Sequence, residues 1–346
     1  MIKPVQYLTI LVLIFSTTKS VAQLKLVPKY YKYIHLAELA VINSNYKKAF
    51  ARYTVAFKYK NEPFSQDILN ALIVSVVVKK TFIAKRYFKI LQVRGYNMNV
   101  LRMNKYCKHL LKKNINENSR LIKINNYYRQ KLDSMYFQDQ KFRLDRDSFI
   151  AYKTSIIEIE ASNLNTFDSL YKFYGFPTEN KVGNNSESVV TNCYDFIFYH
   201  IRPNHNSEKY LAIGKDAIYK GDLNNRTGGK FIEFLTGDNP YCEFGLVKGI
   251  LKSNLKTKIV IDSLKSIGIK PETEWGYLVP EKYKIRQLNT NRQVIFMEPL
   301  EDYLNKIIFS HHHPDLMIIG SGNESILEFE NVEQFLKLKK NLKYIN

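Results

Sequence analysis

Three residue types in the middle of the chain could together move a proton and hold an anion. Asp139 and Arg143 stand four residues apart in a stretch with a helical pattern, so their side chains would share one face. His200 ends a later apolar stretch, and a histidine that a carboxylate orients exchanges protons near neutral pH. Because an arginine beside them would hold an anionic group, the three predict a hydrolase-like site for hydrolysis or phosphoester chemistry.

A structural interpretation of the same residues stands beside the catalytic one. Asp139 and Arg143 would form an ion pair within one helix, and His200 would be a satisfied core or capping histidine. Apolar pattern and spacing do not show whether the three side chains converge, so both interpretations stay open.

Neither a metal site nor a cofactor is predicted. The run His311–His313 is consecutive, and consecutive side chains diverge, so one run rarely supplies three ligands to one ion. The cysteines, Cys107, Cys193 and Cys242, lack the C-x-x-C spacing of metal sites. A disulfide between Cys193 and Cys242 and three buried thiols are both compatible with this sequence.

A period of 35 residues between residues 30 and 96 predicts helical hairpins that could carry a binding surface. Small and aromatic residues recur at the offsets that two packed helices need: Ala49, Tyr53 and Ala56 return as Ala84, Phe88 and Leu91. The spacing resembles tetratricopeptide repeats, and the resemblance implies a scaffold with a concave face for peptides or neighbouring domains. The alternative is four ordinary helices with a chance period.

The predicted binding residues belong to these hairpins and to the stretch around Asp139 and Arg143. They are Tyr33, Tyr53 and Phe88 in the repeat and Gln140 beside Asp139. A protein or peptide is the predicted partner of the repeat region. Residues 102–131 follow with nine Lys or Arg and one acid, Glu117, which predicts a basic helical connector. An anionic surface is a further possible partner, and nucleic acid is disfavoured because no aromatic–glycine RNA-binding motif occurs.

From about residue 130 to 305 the chain resembles an uncharacterised family of bacterial domains. Its landmarks are D-Q-x-x-R, Y-G-x-P-T, V-G and a helix ending in Q-H. In this chain they stand as Asp139–Arg143, Tyr174–Thr178, Val182–Gly183 and Tyr199–His200. The resemblance implies a mainly helical fold and no particular reaction.

A later family element, R followed by G-L-x-P-L-x-x-Y, corresponds to Arg292 and Met297–Tyr303. Two departures stand out. Tyr199 replaces the glutamine before the histidine, and the downstream Y-G-T-Q element has Tyr241–Gly245 as its nearest counterpart.

The first 22 residues have the pattern of a cleaved export signal. Lys3 gives a positive start, Tyr7–Phe15 is apolar, and Ser20–Ala22 has the small–x–small form of a cleavage site. We therefore expect an exported protein, periplasmic or secreted, that starts at Gln23 and has no transmembrane span. Its net charge falls from +20 to +18 because Lys3 and Lys19 are removed.

The sequence predicts a mainly α protein in five segments. They are the leader 1–22, repeat-like helical hairpins 23–100, a basic connector 101–131, a helical domain 132–305 and a tail 306–346. The tail would contain strands at residues 316–319 and 325–329, joined as a β-hairpin, and a helix over 331–344. The predicted function is a non-enzymatic interaction or scaffold protein, with the hydrolase-like enzyme as the alternative.

Overall fold

The computed structural model describes residues 25–108, 124–143, 150–184, 207–238, 240–241, 247–251, 258–266, 275–278, 282–316, 325–329, 333, 336 and 342–344. The chain divides into two compact units, Met1–Asn239 with Ile295–Met297 and Pro240–Val294 with Glu298–Asn346. Helices dominate the described residues, so the mainly α prediction is confirmed. The predicted leader lies outside them.

The first unit begins with two helical hairpins. Helix α1 (25–42) pairs with α2 (Tyr46–Tyr59), and α3 (Ser65–Val77) pairs with α4 (Thr81–Val93). Helix α3 packs on both α2 and α4 and is buried along most of its length, which its apolar sequence requires. The chain leaves α2 just before Asn61 and Pro63, where a proline cannot continue a helix.

The turns inside the two hairpins have the same geometry 35 residues apart. The N–H of Ser44 donates to Val41, and the N–H of Asn45 donates to Ala40. The second turn repeats both bonds, from Lys79 to Val76 and from Lys80 to Ser75. Ser44 and Lys79 both have a positive φ, 53° and 60°. This pair of bonds is the Schellman ending of a helix. The tetratricopeptide resemblance itself stays a prediction.

The next helices that the structure describes in the first unit lie between residues 98 and 182. They are α5 (Met98–Met103), α6 (Asn126–Gln140), α7 (Lys153–Tyr174) and the short α8 (Glu179–Val182). Helix α6 packs against α7 and α8. Gly175, with a φ of 70°, ends α7 in a conformation that favours glycine, and the Thr178 side chain caps α8.

Helices α9 (Ser207–Lys220) and α10 (Asn225–Thr236) form the last hairpin of the first unit. The two helices approach closely because glycines face large side chains across the interface. A Cβ on Gly214 would lie 2.2 Å from the Phe231 ring, and one on Gly228 would lie 2.4 Å from Ile218. Neither glycine tolerates a larger residue without a shift of its neighbour.

The described part of the second unit combines four strands with helices. Its elements are β1 (Val247–Leu251), α11 (Lys258–Ser266), β2 (Trp275–Leu278), α12 (Lys282–Val294), α13 (Leu300–His312), a 3-10 turn (Pro314–Leu316), β3 (Ser325–Phe329) and β4 (Leu342–Tyr344). The strand order is β3-β1-β2-β4, with β1 parallel to β3 and both other pairs antiparallel. Strand β1 aligns Val247 with Ser325 of β3 and with Gly276 of β2.

The tail differs from its prediction. The strand Ser325–Phe329 is present, but it pairs in parallel with β1, and Leu316 lies in a 3-10 turn, so the predicted β-hairpin is not confirmed. Leu342–Tyr344 was predicted as helix and is strand β4, because the edge of β2 supplies backbone partners that local propensity does not anticipate. Two predicted boundaries, 131/132 and 305/306, fall inside α6 and α13.

Candidate functional site

The predicted catalytic pair lies in an ion-pair cluster between the C-terminal end of α6 and helix α7. Arg143 Nε lies 3.4 Å from Asp139 Oδ2, and Arg143 Nη2 lies 2.5 Å from Glu160 Oε1. Gln140, a predicted binding residue, donates from Nε2 to Asp139 Oδ2 at 2.7 Å. His200 lies outside the described residues. The catalytic site formed by His200, Asp139 and Arg143 therefore stays a prediction.

The cluster joins α6 to α7 by charge. Asp139 and Glu160 are both buried, and both approach the same guanidinium, whose hydrogen-bonding geometry suits carboxylates. Breaking a buried pair leaves a charge without compensation, which is strongly destabilising. Because two carboxylates already hold Arg143, the described part of the cluster supports a structural role better than the capture of a substrate anion.

The predicted binding residues of the hairpins fall into two groups. Tyr53 and Phe88 are buried, with 1% and 4% of their surface exposed, so a partner that docks on the folded hairpins would not contact them directly. Tyr33 is half-buried and stacks on Tyr59 at a ring-centroid distance of 5.6 Å. The Arg52 guanidinium lies 5.6 Å from the centre of the Tyr33 ring. Of the three predicted aromatic residues, Tyr33 is therefore the one that is partly exposed and contacts a cation.

The connection between α9 and α10 and the first turn of α10 contact α1 next to its own contact with α3, and this surface is here called the α1/α3 face. The Tyr31 hydroxyl donates to Leu223 O at 3.3 Å and accepts from the N–H of Asn225 at 3.0 Å. Arg226 forms two bonds with the fully buried Glu38, at 2.7 and 3.3 Å. The α1/α3 face is therefore occupied by the chain's own residues rather than left open for a peptide.

A second buried carboxylate, Asp67, lies close enough to this contact for the charges of Glu38 and Arg226 to act on it. The Tyr30 hydroxyl donates a short hydrogen bond to Asp67 Oδ2. Burial raises the pKa of Asp67 to about 7, and the nearby Glu38 charge acts in the same direction, whereas the Tyr30 bond and Arg226 oppose it. Burial and the Asp67 charge also raise the pKa of Tyr30. The carboxyl of Asp67 therefore titrates near neutral pH.

A small cavity lies where α8 and the α9–α10 connection meet the hairpins. Lys60, Arg94, Glu179 and Asp222 are among its lining residues, and its volume is about 20 Å³, enough for one water molecule. Glu179 Oε2 accepts from the N–H of Ser65 at the start of α3 at 2.7 Å and lies 3.5 Å from Arg94 Nη1. These charges fix the packing, and the cavity is too small for an organic substrate.

Burial perturbs the charged groups of this cavity. Lys60 Nζ donates to Gly221 O at 2.5 Å and lies 4.5 Å from the centre of the Phe64 ring. Burial lowers the pKa of Lys60 and raises the pKa of Asp222, because each loses hydration in its charged form. Both shifts have a structural cause, so we do not read them as signs of catalysis.

The outer surface of the hairpins is predominantly positive. Of the three acids between residues 25 and 96, Glu38 and Asp67 are buried and Glu62 is exposed. Exposed cations cover the outer side of α2, the turn before α4 and α4 itself, a surface called here the basic face. Its members are Lys47, Lys48, Lys58, Lys79, Lys80, Lys85, Arg86 and Lys89.

The described residues contain neither a metal-binding cluster nor a membrane-spanning helix. In the described ranges no group of three or more His, Cys, Asp or Glu is placed to hold a metal ion. His311 and His312 are exposed and their rings are turned 79° apart. Cys107 is buried and not in a disulfide, while Cys193 and Cys242 lie outside the described residues. None of the helices described is long and apolar enough to cross a membrane.

Sequence reasoning missed the residues that occupy the α1/α3 face. Asn225 and Arg226 lie 194 and 188 residues along the chain from their partners Tyr31 and Glu38, and no local pattern links them. One signal was present in the sequence. Glu38 and Asp67 are the single acids of α1 and α3, and a carboxylate on an apolar helix face must find a partner when it is buried.

The described residues define a mainly helical protein whose N-terminal hairpins are covered on one face by the chain's own residues and expose a basic face. No protein-family model matches the chain, and neither a curated protein nor a solved structure is similar to it.

Proposed function

We propose that the chain is an exported, non-enzymatic interaction protein that attaches to an anionic surface through the basic face. The observation that carries this proposal is the charge of the hairpins, whose exposed residues are cationic with Glu62 as the exposed acid. A surface of one sign raises the local concentration of an oppositely charged partner. The predicted export signal is consistent with an extracytoplasmic partner.

The other surfaces of the described chain favour this face over two alternatives. The α1/α3 face is covered by Leu223, Asn225 and Arg226, so a peptide would have to displace them. The hydrolase-like alternative around His200, Asp139 and Arg143 gains no support from the ion pairs, because Asp139 and Glu160 already hold Arg143. It therefore stays a prediction from the sequence.

The proposal is tested by reversing three charges on α4. The variant Lys85→Glu with Arg86→Glu and Lys89→Glu should bind dextran sulfate and vesicles containing phosphatidylglycerol at least about tenfold more weakly than the wild type, because cations nearest the anion contribute most. Binding of the wild type should also fall steeply as salt concentration rises.

A matched control changes the same net charge elsewhere in the first unit. Lys153, Lys172 and Lys215 are exposed on α7 and α9, and their triple change to Glu should alter binding by less than about threefold, since screening weakens distant charges. Circular dichroism would verify that both variants are folded. Equal losses in the two variants would show a net-charge effect and overturn the proposed face.

A further inference from the structure

Phe82 is an exposed apolar side chain among the cations of the basic face. It lies in the first turn of α4 with 80% of its surface exposed. Lys85, Arg86 and Lys89 follow it at spacings of three, four and seven residues, which places all four on one side of the helix. Lys80 precedes the helix, so cations flank the ring on both sides along the chain.

The turn of the first hairpin adds charge to the same end of the hairpin pair. Tyr30 and Asp67, near the starts of α1 and α3, form a hydrogen bond, so the two hairpins begin side by side. The turns that reverse the two hairpins lie 35 residues apart and have the same pattern of backbone hydrogen bonds. Lys47 follows the first turn at the position that Phe82 occupies after the second.

We propose that Phe82 and the cations around it form an interfacial anchor that binds the surface of an anionic lipid bilayer. The ring would enter the boundary between headgroups and acyl chains while the lysines contact the headgroups. This inference rests on the proposed function and names its partner. Side chains with apolar stems and charged tips suit such a boundary, as does an aromatic ring among them.

Two features favour lipid over an acidic polymer or protein. Among Lys47, Lys48, Lys79, Lys80, Lys85 and Arg86, five are lysines, whose flexible point charges match a diffuse anionic surface better than the paired geometry of arginine. The exposed Phe82 ring would remain in water beside a soluble polyanion, whereas a bilayer interface removes it from water. Attachment would be peripheral, since no described helix can cross a membrane.

The test compares serine substitutions at two exposed phenylalanines in the full-length protein purified from the cells that express it. Phe82→Ser should lower partitioning onto vesicles of phosphatidylcholine and phosphatidylglycerol about tenfold, the loss expected when a buried aromatic ring is removed. Its binding to dextran sulfate should be unchanged. Phe173→Ser on α7, where the wild-type ring is 78% exposed, should alter neither measurement.

A spectroscopic readout separates contact from insertion. In the variant Phe82→Trp, tryptophan emission should shift to shorter wavelength on phosphatidylglycerol vesicles and should stay unchanged with dextran sulfate or with phosphatidylcholine alone. The wild type, with one tryptophan at position 275, supplies the background.

The outcomes distinguish this inference from the proposed function. If Phe82→Ser binds vesicles as the wild type does while the α4 charge reversal still weakens binding, the lipid anchor is overturned and attachment to an anionic surface stands. Equal losses of Phe82→Ser on vesicles and on dextran sulfate would point to a polymer or protein partner and also overturn the anchor. If the α4 charge reversal changes nothing, the proposed function fails as well.

Discussion

Two carboxylates buried in the hairpins are stabilised in different ways. Glu38 is fully buried and receives a two-point contact from the Arg226 guanidinium. Asp67 receives a hydrogen bond from Tyr30, and its pKa lies near 7 because burial disfavours its charged form. Glu38 is therefore paired with a cation, whereas the pKa of Asp67 is close to neutral pH.

Arg226 is expected to be a major contributor to stability. Arg226→Met leaves the carboxylate of Glu38 buried without this cation, and we expect a loss of about 3–5 kcal/mol in the free energy of unfolding. Urea denaturation would measure it. Lys230→Met, on the same helix, is the control and should cost less than about 1 kcal/mol. A similar small loss in Arg226→Met would show that the contact contributes little.

Asp67 should make stability fall as pH rises. The pKa of its carboxyl is about 7 in the folded chain, above its usual value of 3.8, so the folded state binds the proton more tightly than the unfolded state. The contribution is full below about pH 4 and is lost as pH rises through 7. Neighbouring titratable groups are Tyr30, Glu38, Arg226 and Glu179.

The comparison with Asp67→Asn isolates this effect, because the amide oxygen can still accept from Tyr30 and does not titrate. The free energy of unfolding of the wild type relative to Asp67→Asn should decline between pH 4 and pH 8. Parallel curves for the two proteins over this range would contradict the raised pKa.

At the residue scale, sequence reasoning reached part of the ion-pair cluster. The spacing of Asp139 and Arg143 predicts that they share a helix face, and the structure places them 3.4 Å apart. Glu160 could not be foreseen, since it comes from another helix and its pairing depends on how α6 and α7 pack. The role of His200 depends on residues that the structure does not describe.

At the scale of elements, the apolar period predicted the hairpins because it reports how pairs of helices pack. Ala49, Tyr53, Ala84 and Phe88 are all buried, as the repeat requires. What covers the α1/α3 face could not be read from the sequence, because Tyr31 and Asn225 lie 194 residues apart. The same limit applies to β4, whose strand conformation depends on pairing with β2.

The turn between α3 and α4 stores a small conformational cost. Lys79 has a φ of 60°, in the left-handed region where a side chain costs about 1–2 kcal/mol. Lys79→Gly removes this cost and adds backbone entropy to the unfolded chain, so we expect a net gain of about 0.5–1 kcal/mol in the free energy of unfolding. Chemical denaturation would measure the change.

A helical position of similar exposure provides the control for that turn. Lys85→Gly, inside α4, should lower the free energy of unfolding by about 1 kcal/mol, because glycine is a poor helix former. The two glycine substitutions should therefore act in opposite directions. If Lys79→Gly also destabilises, the left-handed conformation at position 79 is wrong.

At the scale of the whole molecule, the charge is unevenly distributed between core and surface. The predicted mature chain carries +18, and in the hairpins Glu38 and Asp67 are buried while the lysines of the basic face are exposed. Internal acids therefore stabilise the packing without neutralising the outer side. An anionic partner outside the cytoplasm would meet this surface only if the chain is exported.

Export is the prediction on which the whole molecule's role depends. The segment Ser20–Ala22 would be cut after Ala22, because signal peptidase requires small residues at the first and third positions before the cut. The exported wild type should have the intact mass of a chain beginning at Gln23. Ala22→Tyr should block cleavage and leave the leader attached, whereas Val21→Tyr, at the tolerant middle position, should be processed normally. Wild-type protein found in the cytoplasm with its leader retained would contradict export and remove the anionic bilayer surface outside the cell as its partner.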